Sequence, residues 1–261
     1  MALVRNIVSV VTAVALAALL VALGFMACLV PPVTHGLSSV FARDDISPLD
    51  RNQLVRVADA TRDYSFGAHD ELSLYQTIYD VDVEYRDSVG YSVASSTGTG
   101  FPQLDLVSDR GSISQLKSAF KGASELYCFS EETVSHLDDC NKIVKAAFPS
   151  IIAIAIVALF GLVFTGITGK KRRMRIVLIA AGAIVLVAFV ALGAWAIVDF
   201  NGLFAAFHKV FFAQGNWTFP YDSLLICSLP TEFWMGMGVV WLAVSALLSI
   251  LSILVGFKLR K

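Results

Sequence analysis

Four stretches of this chain, residues 7–30, 147–169, 176–198 and 235–257, are apolar and carry no charged side chain. Each is long enough to cross a hydrocarbon core of roughly 30 Å as a helix rising about 1.5 Å per residue. A single crossing segment must satisfy its backbone polar groups internally, so stretches of this length are helices. Four such stretches in 261 residues leave room for only two other sizeable segments. Composition agrees: 56% of residues are hydrophobic and 16% charged, with a mean hydropathy of +0.70, well outside an ordinary soluble domain.

The charges between the apolar stretches are sorted by side. The second and third stretches are joined by KKRRMR, in which Lys170, Lys171, Arg172, Arg173 and Arg175 are basic. Arg5 precedes the first stretch, and Lys258, Arg260 and Lys261 follow the last. The positive-inside rule puts these three segments, and therefore both termini, in the cytoplasm. Segments 31–146 and 199–234 then lie outside, and all 21 acidic residues and all four histidines fall within them. The basic loop reads as topogenic. The first stretch reads as an uncleaved anchor, because its apolar run is long for a cleavable signal. Any chemistry is expected outside or at the outer leaflet.

The expected domain layout is a first span within 1–30, an outer domain over 31–146, spans two and three over 147–198 around the inner loop 170–175, an outer aromatic loop over 199–234, and a fourth span with a basic tail over 235–261. Within the outer domain, Ser47-Pro48 reads as an N-cap and first helical residue ahead of Leu49, Leu54, Val57, Ala58 and Thr61. A short helix is expected over 71–79. Tyr79, Val81, Val83, Tyr85, Val89, Tyr91 and Val93 alternate with polar residues, which predicts a hairpin. SSTGTGFP reads as a loop. The fold class expected is therefore an α-helical membrane protein of four transmembrane helices with a small α+β extracytoplasmic domain.

Ser130 is expected to cap a helix that carries Glu131 and Glu132 in its first turn and leads into the second span. His136 lies on it, with Asp139 three residues on along the same face. An imidazole held by a carboxylate suits acid–base work, although a solvated helix face looks the same in sequence. His208 lies among Phe204, Phe207, Phe211, Phe212 and Phe219, where aromatic residues favour a membrane interface but a titratable ring requires a reason. Trp217, Asp222, Pro230, Glu232 and Trp234 share that short loop, and Asp222 could orient a histidine. His35 and His69 are weaker candidates. His136, Asp139, Cys140 and His208 lack a recognised metal-ligand spacing, so no metal is expected. Cys128, Cys140 and Cys227 lie outside, where a Cys128–Cys140 disulfide or a bond from either to Cys227 is possible. No GxSxG nucleophile elbow and no nucleotide-binding loop are present.

SEETVSHLDDCNKIVKAAF before the second span and FAAFHKVFFAQGNWTFPYDSLLICSLPTEFW between the third and fourth together resemble a bacterial family of four-span integral membrane proteins that includes the lipoprotein intramolecular transacylase. The resemblance covers nearly the whole chain. Cys140 and Asn141 stand where that pattern usually has an aliphatic residue and a lysine. The resemblance implies transfer of the sn-2 acyl chain of a lipoprotein's diacylglyceryl cysteine to that cysteine's α-amine, giving an N-acyl lyso-form. It implies His136 and His208 as the acid–base pair, Asp139 and Asp222 as orienting groups, and Phe207, Phe211, Phe212 and Trp217 around the acyl chains. Ester to amide is downhill, so no cofactor is required. The partners implied are diacylated lipoproteins and membrane lipid, not nucleic acid; oligomeric state has no signature. The competing expectations are a non-catalytic membrane protein whose outer domain binds a partner or lipid, and an outer-leaflet lipid acyl hydrolase.

Overall fold

The computed structural model describes residues 2–91, 99–168 and 171–259, and every regular element among them is helical. In chain order these are α1 (Ala2–Cys28), α2 (Pro31–Phe41), α3 (Arg51–Phe66), α4 (Glu71–Val89), a 3-10 turn (Leu104–Leu106), α5 (Ile113–Ala119), α6 (Glu131–Thr168), α7 (Lys171–Val198), α8 (Phe200–Phe211), α9 (Leu224–Ser228) and α10 (Thr231–Lys258). Helices α1, α6, α7 and α10 are long and apolar enough to cross a membrane, matching the four expected stretches. The chain divides into two compact units: residues 1–28, 145–207 and 237–261, and residues 29–144 and 208–236.

The first unit contains the charge-free parts of the four long helices. Its core is Leu16, Ala17 and Leu20 with Ala158, Ala181, Val185 and Phe189, flanked by Trp241 and Leu248. Lipid offers little hydrophobic driving force between helices, so close packing at small residues takes its place. A Cβ on Gly161 would lie 2.1 Å from Thr12 Oγ1, and one on Gly182 would lie 2.5 Å from the Ser249 carbonyl oxygen. Trp241 Nε1 donates to the Val21 carbonyl at 2.9 Å, and Ser252 Oγ to that of Leu178 at 2.9 Å. Both side chains thus satisfy their polar atoms on a neighbouring helix.

The second unit is built on α2–α5 around Leu49, Leu54, Val57, Ala58, Leu74, Ile78 and Leu116, each at most 1% exposed. The expected hairpin is absent among the described residues. Its Tyr79–Val89 portion belongs to α4, which Gly90 closes in the left-handed region at φ 66°; Val93 and residues 95–98 of the expected loop lie outside the described residues. The buried positions Leu74, Tyr75, Ile78, Val81 and Asp82 follow helical spacing. Asp82 disguised the pattern: a carboxyl fills a core position, so Val81-Asp82-Val83-Glu84 alternates like a strand. Nor does a helix begin at Pro48. Helix α3 starts at Arg51, because Asp50 forms a reciprocal capping box with Gln53.

The segment 208–236 closes onto this unit through main-chain hydrogen bonds. Leu224 N–H donates to Glu125 O at 2.7 Å, and Arg43 N–H donates to Cys227 O at 2.8 Å. Ser38 Oγ donates to Ser228 O at 3.1 Å. Cys28, Cys128, Cys140 and Cys227 are all free thiols, so neither disulfide alternative forms. These bonds, with the buried side chains of α9 and Phe233, hold the second segment without a disulfide.

Candidate active site

The first part of α6, residues 131–144, belongs to the second unit and precedes the charge-free run that begins after Lys145. Ser130 Oγ accepts the Thr133 N–H, starting the helix as expected. Its rotation is fixed against α3 by two polar anchors. Tyr64 donates its hydroxyl to Asp138 Oδ1 at 2.6 Å, and Asn141 Nδ2 reaches the carbonyls of Tyr64 and Ser65 at 3.4 and 3.1 Å. With Asn141 and Thr133 turned inward, His136 is buried on the same face, at 8% exposure.

His208 sits in the last turn of α8 and is also 8% exposed. Phe212 donates its N–H to the His208 carbonyl at 2.6 Å, and the chain then turns at Gly215, whose φ of 84° favours glycine. This turn brings the two imidazoles together, with ring centroids 6.1 Å apart and planes inclined by 26°. Phe212 lies 4.5 Å from His136 and 5.5 Å from His208, Phe219 lies 5.7 Å from His136, and Trp217 lies 5.0 Å from His208. Two titratable rings far apart in sequence thus share one aromatic-walled site within a single unit.

Desolvation is the main electrostatic consequence. Burial first, and the adjoining His208 second, lower His136 to about 4, with Asp139 opposing. His136 is therefore a neutral imidazole, able to accept a proton, throughout the physiological range. Its Nδ1 is buried without a hydrogen-bond partner, while its Nε2 lies 3.7 Å from Cys140 Sγ.

Asp139 is close by but does not grip the imidazole. Its carboxylate accepts from Lys142 Nζ at 2.8 Å, Gln214 Nε2 at 2.7 Å and Asn216 Nδ2 at 3.2 Å. These partners, the lysine foremost, hold it below its ordinary range. It therefore ties α6 to the turn that delivers Trp217 and Phe219. Asp222 accepts the Cys227 thiol at its carbonyl oxygen. Phe212 is 5% exposed, whereas Phe207 and Phe211 are 43% and 46% exposed. His35 pairs with Asp59 at 2.8 Å, and His69 stacks on Tyr64, so both belong to other contacts. Among the described residues no three His, Cys, Asp or Glu side chains converge as a metal-ligand set. Sequence reasoning missed Gln214 and Asn216; the only available signal was the intervening Gly215, a turn that aims both amides at one acceptor.

A family model described as lipoprotein intramolecular transacylase Lit matches residues 104–234, a stretch containing every residue of this cluster. A protein of Aquifex aeolicus (strain VF5), described as uncharacterized, is 27% identical over 157 residues, covering 60% of this chain and 68% of that protein. The in meso structure of the membrane integral lipoprotein intramolecular transacylase Lit from Bacillus cereus superposes with a TM-score of 0.69, covering 100% of this chain and 97% of that one at 16% identity. A structure of the same protein with a histidine-to-arginine substitution gives 0.61, over 98% and 92% of the two chains, also at 16% identity. At such identity the structural likeness is one of fold.

Proposed function

Because the chain belongs to the lipoprotein intramolecular transacylase family, we propose that it transfers the sn-2 acyl chain of a diacylglyceryl cysteine to the α-amine of the same cysteine. The observation that carries this reading is the buried pair His136 and His208, 6.1 Å apart between ring centroids. As the amine attacks the ester carbonyl, a C–N bond forms, the C–O bond to glycerol breaks, and one proton moves from nitrogen to oxygen. Nothing else is consumed. Attacking nitrogen and departing oxygen lie roughly 2.3 Å apart across the tetrahedral carbon, so two imidazoles bordering the same ester can each serve one of them.

His136, neutral above about pH 4, suits the role of proton acceptor from the attacking amine. His208 then serves the glycerol oxygen. Repulsion across this short distance disfavours charging both rings, so at most one of the two is an imidazolium at a time. Both reacting groups belong to one substrate, so the remaining task is orientation and exclusion of water. Phe212, Phe219 and Trp217 would line the reacting ester. The half-exposed Phe207 and Phe211 would meet acyl chains or lipid. Asp139 supports the site by holding the 214–216 turn. The sorting of acidic residues away from KKRRMR supports a site on the extracytoplasmic side with both termini inside.

The test is mass spectrometry of a synthetic diacylglyceryl lipopeptide incubated with the purified protein. Unchanged total mass with one acyl chain relocated to the amine supports transfer. Loss of a chain indicates a hydrolase, and an unaltered lipopeptide indicates a binding protein; either would overturn the proposal.

A further inference from the structure

Cys140 lies one helical turn beyond His136 on α6, with Sγ 3.7 Å from His136 Nε2. The opposite ring nitrogen, Nδ1, is buried with no hydrogen-bond partner beside Phe212 and Phe219. We propose that Cys140 is a positioning residue that sets the tautomer of His136, its sulfur accepting the Nε2 proton so that Nδ1 presents a bare lone pair to the substrate amine. The proposal rests on the reading of His136 as the proton acceptor.

Burial pushes the Cys140 thiol up to about 12, so the contact joins two neutral groups and has two possible arrangements. If the thiol donated to Nε2, the proton on Nδ1 would be a buried donor with no acceptor, a rare and costly arrangement in folded proteins. If Nε2 donates to sulfur, Nδ1 keeps an unpaired lone pair and no proton is buried without an acceptor. It is also the form a general base requires. Asp139, the residue expected to orient the ring, is engaged with Lys142, Gln214 and Asn216. The neutral thiol sulfur does the orienting without adding a charge, which keeps His136 neutral in its apolar surroundings. A carboxylate at that distance would favour the imidazolium instead.

The experiment is nitrogen NMR of histidine-labelled, purified protein together with transfer rates, for the wild type and for Cys140→Ala, Cys140→Ser and His136→Ala. His136→Ala assigns the resonances and tests the underlying reading. The wild type is expected to show His136 protonated at Nε2 and bare at Nδ1 at pH 7. Cys140→Ser retains an acceptor and should keep that tautomer and most of the rate. Cys140→Ala should mix the tautomers and slow transfer by roughly threefold to tenfold, the bias that one hydrogen bond can hold. An unchanged tautomer and rate in Cys140→Ala, with His136→Ala inactive, would overturn the positioning role while leaving the acid–base pair intact. An active His136→Ala would remove the reading beneath it. A trapped acyl thioester on Cys140, with Cys140→Ser as slow as Cys140→Ala, would make the thiol a nucleophile and also overturn the proposal.

Discussion

Replacing Asp82 by leucine should expose an opposition between two buried groups in the second unit. Asp82 is 0% exposed, neither carboxyl oxygen has a hydrogen-bond partner, and burial holds it well above the usual carboxylate range. In the folded protein it is protonated at pH values where the unfolded chain has already lost the proton. Folding therefore weakens as pH rises above about 3.9, by about 1.4 kcal/mol per pH unit, until Asp82 itself ionises. His136 acts in the other direction. Its folded value of about 4 lies below the ordinary 6.5, so below pH 6.5 the unfolded chain binds a proton that the fold refuses. Stability then falls by the same slope as pH drops toward 4. Asp45 and Asp139 are lowered and act only below about pH 4. Between pH 4.5 and 6.5 the two slopes oppose each other, so the wild type should depend on pH less steeply than a variant that keeps only the histidine. Asp82→Leu, similar in size, should leave the histidine slope alone: melting temperature rising with pH by about 3–6 °C per unit, if 1 kcal/mol corresponds to about 2–4 °C at this size. The variant should also be more stable at every pH, because an unsatisfied buried acid costs about 1–3 kcal/mol. Thermal unfolding of the detergent-purified protein at pH 4.5, 5.5 and 6.5 measures both. Parallel wild-type and variant profiles would refute the argument.

Asp139→Ala should slow transfer about tenfold or more and raise proteolytic cleavage near Gly215, while Asp139→Asn, which still accepts from Gln214 and Asn216, should stay within a few-fold. A cysteine placed at the exposed Ser108 should react with an impermeant maleimide on intact cells and one at Lys171 should not; the reverse pattern would put the histidines in the cytoplasm. Gly161→Val should sharply reduce the folded protein recovered, because even a Cβ there meets Thr12 in the helix interface, whereas Gly193→Val, in open space, should be tolerated.

Much of the architecture was legible because long-range order here begins with local signals. An uncharged run as long as 176–198 has few alternatives in a chain this apolar, and the helix across Glu131–Lys145 announced its start at Ser130. The second unit was less legible. Asp82 replaced an apolar core residue, and over so short a stretch two periods fit equally well. His136 and His208 stood out by residue type and setting, but their contact depends on α3 anchoring Asn141 and Asp138 and on the turn at Gly215, neither of which has a periodic signature. Asp139 was conspicuous for its spacing from His136. Its actual partners, Gln214 and Asn216, come from another segment, and i to i+3 spacing carries no information about such competition.

The most direct test of the acid–base pair is a double-mutant cycle on acyl transfer, with His136→Ala, His208→Ala and the double variant assayed on a diacylglyceryl lipopeptide at equal protein abundance. Two groups that pass one proton through one transition state act as a unit. Each single variant should therefore lose about 10²–10⁴-fold, and the double variant should be little slower than the worse single variant. Single variants that transfer at near wild-type rates, or losses that simply multiply in the double variant, would contradict the account.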